Sequence, residues 1–381
     1  MTRKTVRSRG TLQLATAHGF SLLELLVAMA VFLIVSGASF TLFQRHQALL
    51  SREQGLAGLN IGLRNALTQI QIDVVNAGNG LIVGAYVPSW PMGASIVNPA
   101  PSTPCNNAST YSYTASCFDT LNAITVDPDP TVPVLHPQSL SGGCVTTSAS
   151  SPTTIILYSL PPSGFTPSSA AAKFHAGDQM LFVAASGNPY VPFTTARLSA
   201  NGATGGSTNQ YVALTFNSTL AGGYNNAGAT GNDPLNMTTS QGTNGIDPSK
   251  LHDSFCSSDW VLRLSPIIYS VDTTTDPTNP KLMRTRGGVQ NVVMEQVVSF
   301  RVGAGIFGDL SDNYRYNAST APANGGYYND FTEVRAIRVS LIGRTKPDTI
   351  NTYRNLFDQG PYQVLGSSTV VNPRNLSMNN N

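Results

Sequence analysis

Residues 18–43 read HGFSLLELLVAMAVFLIVSGASFTLF, and this stretch decides the architecture of the chain. From Phe20 to Phe43 the sequence is apolar and long enough to cross a bilayer as one helix. The preceding residues 1–19 contain four Lys or Arg residues and no acidic residue. Because basic flanks stay on the cytoplasmic side of a membrane, we expect the chain after Phe43 to lie outside the cytoplasm.

Glu24 is the only ionisable side chain between Phe20 and Phe43. A carboxylate at the centre of a spanning helix costs about 2.5–3.5 kcal/mol on insertion scales, and less near the interface. Such a residue needs a partner. If the chain were cut after Gly19, the new α-amine of Phe20 would lie one helical turn from Glu24. The same amine on a neighbouring subunit would pair with Glu24 and give the apolar helices one axial stagger.

The segment from His18 to Ala28, HGFSLLELLVA, resembles the class III leader and cleavage site of type IV prepilins. The resemblance implies that a prepilin peptidase cuts between Gly19 and Phe20 and methylates the new N-terminal amine. It also implies that Glu24 acts in assembly, with other major and minor pilins as partners through the N-terminal helix. The implied location is the bacterial inner membrane, crossed once, with a cytoplasmic leader and a periplasmic C-terminal domain, followed by the pilus at the cell surface.

Two other interpretations fit parts of this segment. An ordinary secretory signal peptide would use Ser36-Gly37-Ala38 as its small-residue cleavage site. Glu24 inside the apolar region argues against it. A simple uncut anchor explains the apolar run, but it explains neither Gly19-Phe20 nor Glu24.

The helical pattern continues past the membrane segment. A stripe of apolar residues at spacings of three and four predicts an amphipathic helix that packs on a sheet. The stripe consists of Leu56, Leu59, Leu63, Leu67, Ile70 and Val74. We expect one helix from Phe20 to about Ala77, weakened locally by three glycines and with Asp73 on its polar face.

The sequence after this helix predicts a β-rich, loop-rich domain of antiparallel sheet, so the expected fold class is α+β. Strands are expected at Leu121–Val126, Thr153–Tyr158, Gln179–Ala184, Tyr211–Phe216, Trp260–Leu264, Ile267–Val271, Lys281–Arg284, Val297–Val302 and Val334–Ile342. Val289–Gln296 reads as a short helix. The expected divisions are a leader (1–19), an N-terminal helix (20–78), a loop-rich β region that is either a separate inserted domain or part of one (84–250), and a C-terminal β-sheet region (251–381).

Charged residues make up 11% of the 381 residues and the formal net charge is +2. This balance gives no reason to expect nucleic acid as a partner. The four cysteines, in an exported domain, favour disulfides over free buried thiols. Three pairings are possible, and proximity and elimination favour Cys105–Cys117 with Cys144–Cys256.

The sequence contains only weak matches to catalytic and cofactor-binding motifs. We expect that the protein is not an enzyme and that it binds no cofactor and no metal ion. Gly303–Gly308 matches a dinucleotide fingerprint but reads as a glycine-rich hairpin loop. His252-Asp253 with Asp259 reads as a surface turn beside a disulfide. Asp127–Asp129 and Asp272–Asp276 match no Ca²⁺ loop.

The C-terminal part of the PilW family of minor pilins is similar to four segments of this chain, Ile267–Val271, Lys281–Arg286, Gly288–Val302 and Glu333–Gly343. This resemblance implies a minor type IV pilin at or near the pilus tip that helps to initiate assembly. A minor pseudopilin of a type II secretion system and a tip adhesin active in cell adhesion are the alternatives.

Overall fold

The computed structural model describes residues 21–80, 94–97, 105–107, 110–129, 132–138, 143–146, 154–158, 166–184, 193–206, 210–215, 254–306, 334–347 and 354–374. The chain divides into two compact units, Met1–Gly55 and Leu56–Asn381. The long helix α1 (Leu22–Val75) begins in the first unit and ends in the second. It is uninterrupted, although Gly55, Gly58 and Gly62 lie within it.

A short helix α2 (Pro167–Ala171) and a 3-10 turn at Ala115–Cys117 are the other described helical elements. The strands of the described residues are, in chain order, β1 (Ala94–Val97), β2 (Asn106–Asn107), β3 (Ser112–Tyr113), β4 (Thr120–Val126), β5 (His136–Gln138), β6 (Val145–Thr146), β7 (Thr154–Tyr158), β8 (Gln179–Val183), β9 (Phe193–Arg197), β10 (Ala203–Gly205), β11 (Tyr211–Thr215), β12 (Ser254–Phe255), β13 (Trp260–Asp272), β14 (Lys281–Arg286), β15 (Val289–Met294), β16 (Val297–Ile306), β17 (Val334–Arg344) and β18 (Val364–Val371).

These strands form antiparallel sheets, which confirms the predicted α+β class. The largest sheet has the order β1-β4-β13-β14-β15, with β8 and β9 added beside the first half of β13. A second sheet has the order β10-β11-β7-β5, and a third the order β16-β17-β18. Two small pairs, β12-β6 and β2-β3, complete the described strands.

The second half of α1 covers the main hydrophobic core. Leu63, Ile70 and Val74 are almost fully buried, and they cluster with Phe300 of β16 and side chains of β4, β13 and β17. Burying one such side chain stabilises the fold by about 1.5–3 kcal/mol. The predicted stripe is therefore the packing face of α1.

A second hydrophobic core is formed by side chains from residues 132–261. It contains Phe174 next to α2, Phe182 of β8, Leu214 of β11, Phe255 of β12 and Val261 of β13. The thirteen-residue strand β13 contributes to both cores, since its first half pairs with β8 and its second half with β14. β4 pairs with the same strand, so the largest sheet draws strands from both sides of the boundary expected near residue 250.

Asp73 does not lie on the polar face of α1 as predicted. It is 7% exposed and faces the sheet. Its carboxylate accepts hydrogen bonds from Arg284 Nε at 2.7 Å and Nη2 at 3.1 Å, and from the hydroxyl of Tyr269. Asp73 is adjacent to Val74 and one turn after Ile70, so helical geometry places it beside the apolar stripe. Burial and the hydrogen bond to Asp73 raise the pKa of Tyr269, which stays protonated as a donor.

Two local predictions are wrong. Residues 289–294 form strand β15, not a helix, because Gly287 and Gly288 adopt φ values of +56° and +79° and turn the chain back onto β14. The glycines at 303 and 305 lie within strand β16, not in a hairpin loop, because β17 pairs along that strand as far as Ile306. The rest of the fingerprint, Phe307 and Gly308, lies outside the described residues.

Two disulfides connect the cysteines, Cys105–Cys117 and Cys144–Cys256, which are the pairs favoured from the sequence. The first closes a short loop with a sequence separation of 12, and the second a long loop with a separation of 112. In the chain-entropy model a disulfide stabilises more when its loop is longer.

We expect the serine pair Cys144→Ser/Cys256→Ser to destabilise the protein more than Cys105→Ser/Cys117→Ser. The expected losses are about 5 and about 3 kcal/mol, from the two loop lengths. Denaturant unfolding of the detergent-solubilised protein measures both. Equal losses, or the reverse order, would show that loop entropy does not govern these bonds.

We expect Asp73→Asn to lower the free energy of unfolding by about 3 kcal/mol, because Arg284 would lose its ionised partner in a largely buried position. Thermal or denaturant unfolding is the measurement. Asp276→Asn is the matched control, since the carboxylate of Asp276 lies on an exposed turn and accepts hydrogen bonds from uncharged groups of that turn, such as Thr278. A similar small effect of both substitutions would contradict a supporting role for Asp73.

Candidate functional site

The first turn of α1 is closed by a reciprocal pair of hydrogen bonds. The backbone N–H of Glu24 donates to Ser21 Oγ at 3.2 Å, and the backbone N–H of Ser21 donates to Glu24 Oε2 at 3.0 Å. The carbonyl of Ser21 accepts the first helical bond, from Leu25 N–H at 3.2 Å. Ser21 is therefore the N-cap and Glu24 the third helical residue of a capping box.

This geometry gives Glu24 a local structural role that the sequence analysis did not assign. The signal was present, because Ser-x-x-Glu before an apolar run is the sequence pattern of a capping box. The carboxylate also lies at the N-terminal end of α1, where the helix dipole is positive. Glu24 is exposed, so its carboxylate remains accessible to a positively charged group. The expected cleavage site, Gly19-Phe20, lies outside the described residues.

The first half of α1 presents apolar side chains in every direction. Those of Leu22, Leu26, Phe32, Ile34 and Phe43 are 59–79% exposed, and their neighbours are similar. The helix contains a window long and apolar enough to cross a membrane, none of it buried by the protein. Ser36, Gly37 and Ala38, where a signal peptidase would cut, lie inside the helix. A surface of this kind is stable only in lipid or among other apolar helices.

The acidic side chains considered for metal binding accept hydrogen bonds from other groups of the protein. Asp127 accepts from Arg263 Nε at 2.7 Å. Asp272 accepts from the hydroxyls of Thr274 and Thr275, and these hydrogen bonds lower its pKa to about 2. Among the described residues, no group of three His, Cys, Asp or Glu side chains is placed to hold a metal ion.

The turn at Asp259 is likewise structural. The carboxylate of Asp259 accepts from the backbone N–H of Cys256 at 2.7 Å, beside the disulfide. His136 Nδ1 lies 2.8 Å from the carbonyl oxygen of Asp259. His252 and Asp253, which the sequence analysis grouped with Asp259, lie outside the described residues.

Comparison with known proteins finds one match, to the family model described as the prokaryotic N-terminal methylation motif, over residues 14–40. No curated protein and no solved structure matches the chain at a significant level. The matched residues include the expected cleavage site, the capping box and the first part of the apolar helix. The match supports a class III leader of the type IV pilin kind, on a membrane-anchored, single-pass protein of pilin or pseudopilin type that prepilin peptidase processes. It points to a structural subunit rather than an enzyme.

Proposed function

We propose that this chain is a minor type IV pilin that joins the pilus at or near its tip and helps to initiate assembly. Prepilin peptidase cuts between Gly19 and Phe20 and methylates the amine of Phe20. The observation that carries the proposal is the methylation motif over residues 14–40, continuous with an apolar helical segment that the protein does not bury.

The first part of α1 supports this function at two successive stages, in the membrane and in the filament. Residues 22–43 hold the subunit in the inner membrane, because their apolar surface has no cover within the described chain. The same surface would pack against the N-terminal helices of other major and minor pilins once the subunit leaves the bilayer. A domain with two disulfides fits the oxidising periplasm outside the membrane.

The size of the domain favours the tip. Its second core and long loop-rich middle region add bulk, which a repeated shaft position would copy many times. The segments that resemble the PilW family form β13 to β17, in the two sheets that pack with α1. A minor pseudopilin and a tip adhesin share the same leader, so location within a filament is the discriminating property.

An epitope-tagged chain in a strain with type IV pili and a type II secretion system tests the proposal. Sheared pili should contain the mature chain, starting at N-methylated Phe20, in far smaller amount than the major pilin. Deletion should reduce piliation. Normal piliation together with lost secretion of exported enzymes would favour the pseudopilin, and normal piliation with lost surface adhesion the adhesin.

We expect Gly19→Ala to block removal of the leader, because the peptidase reads the residue before the cut. The intact mass of the membrane-extracted protein reports this directly. A variant that still yields a chain beginning at Phe20 would contradict the cleavage site.

We expect Glu24→Gln to lower incorporation into filaments at least tenfold while leaving leader removal intact. Glutamine retains the capping box but carries no charge to pair with the amine of Phe20. Ser21→Ala is the matched control, since it removes the cap at a cost of about 1 kcal/mol and keeps the carboxylate. Quantitative blotting of sheared filaments is the measurement. If Ser21→Ala were as damaging as Glu24→Gln, helix capping and not charge pairing would explain the role of Glu24.

A further inference from the structure

The loop between β17 and β18 presents two large apolar side chains to solvent. Leu356 is 96% exposed and Phe357 is 52% exposed. Apolar residues this exposed are ordinary in mobile surface segments, where no particular shape is maintained. Residues 355–358 are different, because Asn355 before the pair is buried, Asp358 after it is half-buried, and the side chains of both are hydrogen-bonded.

Asn355 and Asp358 fix the backbone around the exposed pair. Asn355 is 3% exposed, and its Oδ1 accepts from the backbone N–H groups of Phe357 at 2.8 Å and Asp358 at 2.9 Å. Its Nδ2 donates to Asp358 Oδ1 at 2.8 Å and to the carbonyl of Gly360 at 3.0 Å. The side chains of Asn355 and Asp358 thus hold Leu356 and Phe357 in one backbone conformation.

Two buried tyrosines attach this loop to the domain. The hydroxyl groups of Tyr113 and Tyr362 both donate to Asp358 Oδ2, the first at 2.5 Å. Burial and the hydrogen bond to Asp358 raise the pKa of Tyr362 to about 12, so it stays a donor throughout the physiological range. The guanidinium of Arg344 lies 4.6 Å from the ring centroid of Tyr362 and 5.5 Å from that of Tyr113.

Arg344 is itself 1% exposed and joins three further segments. Its Nε donates to Gln296 Oε1 at 2.7 Å, its Nη1 to the carbonyl of Tyr111 at 3.1 Å, and its Nη2 to the carbonyl of Thr278. The support under the exposed pair therefore extends from the loop into the turns before β3, β14 and β16.

The non-glycine residues with positive φ in the described chain are concentrated in this support. They are Tyr111, Gln296 and Gln359, with φ of 53°, 57° and 60°. Tyr111 and Gln296 contact Arg344 directly, and Gln359 follows Asp358 in the loop. Non-glycine residues are held in this region only where the surroundings enforce it, and such positions cluster at ligand clamps and other functional sites.

The loop lies at the end of the domain where α1 enters it. Gly343, next to Arg344, has no room for a Cβ atom because the side chains of Leu59 and Met294 fill that space. The opposite end of β18 leads to Arg374, whose N–H lies 3.3 Å from the carbonyl of Val75 at the end of α1. Leu59 belongs to the start of α1 within this unit, and Val75 to its end.

From these observations we infer that Leu356 and Phe357 form a preorganised anchor that inserts into an apolar pocket on a neighbouring filament subunit. A subunit at a filament tip has other subunits only on the side from which its N-terminal helix enters, and the anchor lies at that end. A rigid aromatic–aliphatic pair loses little conformational entropy on binding a shaped protein pocket, whereas lipid insertion needs no fixed shape. The exposed Lys346, which follows β17 at the start of this connection, fits a pocket with an acidic rim. This inference rests on the proposed filament function and names the partner class for it.

The test compares two double variants of the full chain in the piliated strain. Leu356→Ser/Phe357→Ser removes the anchor, and Val289→Ser/Val292→Ser removes an equally exposed apolar pair on β15. We expect the first to lower the amount of this chain in sheared filaments about tenfold, with unchanged membrane amount and leader removal, and the second to leave it unchanged.

Photocrosslinking from a benzoylphenylalanine at position 357 identifies the contact. A crosslink to an identified filament subunit, lost when that subunit is deleted, supports the inference. Crosslinks to lipid only, or filament levels of the anchor variant equal to wild type, overturn it while leaving the filament function intact. Absence of the wild-type chain from filaments would overturn the proposed function, and the inference with it.

Discussion

The two halves of α1 face different demands for burial, and the rest of the structure follows from this difference. A helix that is apolar on all sides, as α1 is over residues 22–43, cannot be covered by one small domain. A helix with a single apolar stripe, as α1 is from Leu59 to Val74, is covered by the sheets of its own domain. The sheets therefore assemble on the second half alone, and the first half is left for lipid or for other helices.

A few buried charged residues of the described domain connect its elements. Asp73 joins α1 to β13 and β14. Asp119, which is fully buried, accepts from Arg301 Nη1 at 2.9 Å and from the backbone N–H of Val302 at 2.8 Å, and so fixes β16 beside the start of β4. Buried ion pairs add little net stability over apolar pairs, but a shifted register would leave a charge without its partner. These pairs consequently favour one register of the helix and of the sheets.

Three acidic side chains that were considered as metal ligands from the sequence have structural hydrogen-bond partners in the domain. The carboxylates of Asp127, Asp259 and Asp272 accept hydrogen bonds from their own domain, which explains clusters that resemble metal sites in the sequence. Glu24 belongs to the same pattern through the capping box, yet its exposure at the start of an apolar helix also leaves it available to another subunit. The proposed charge pairing is compatible with the cap, because the cap uses Oε2 as a hydrogen-bond acceptor and leaves the charge of the carboxylate in place.

The sequence by itself determined the features that depend on local pattern. The periodicity of apolar residues predicted α1 and its packing stripe, and β-prone runs between turn residues predicted most of the strands. The resemblance of residues 18–28 to class III prepilin leaders predicted the leader that the family model supports. Tertiary structure alone decided where contacts join distant residues. The burial of Asp73 depends on Arg284 and Tyr269, which come about two hundred residues later, and β13 continues through two predicted strands because β8, β4 and β14 pair along its length. Local propensity carries no information about such partners, since each contact requires the whole sheet to be assembled first.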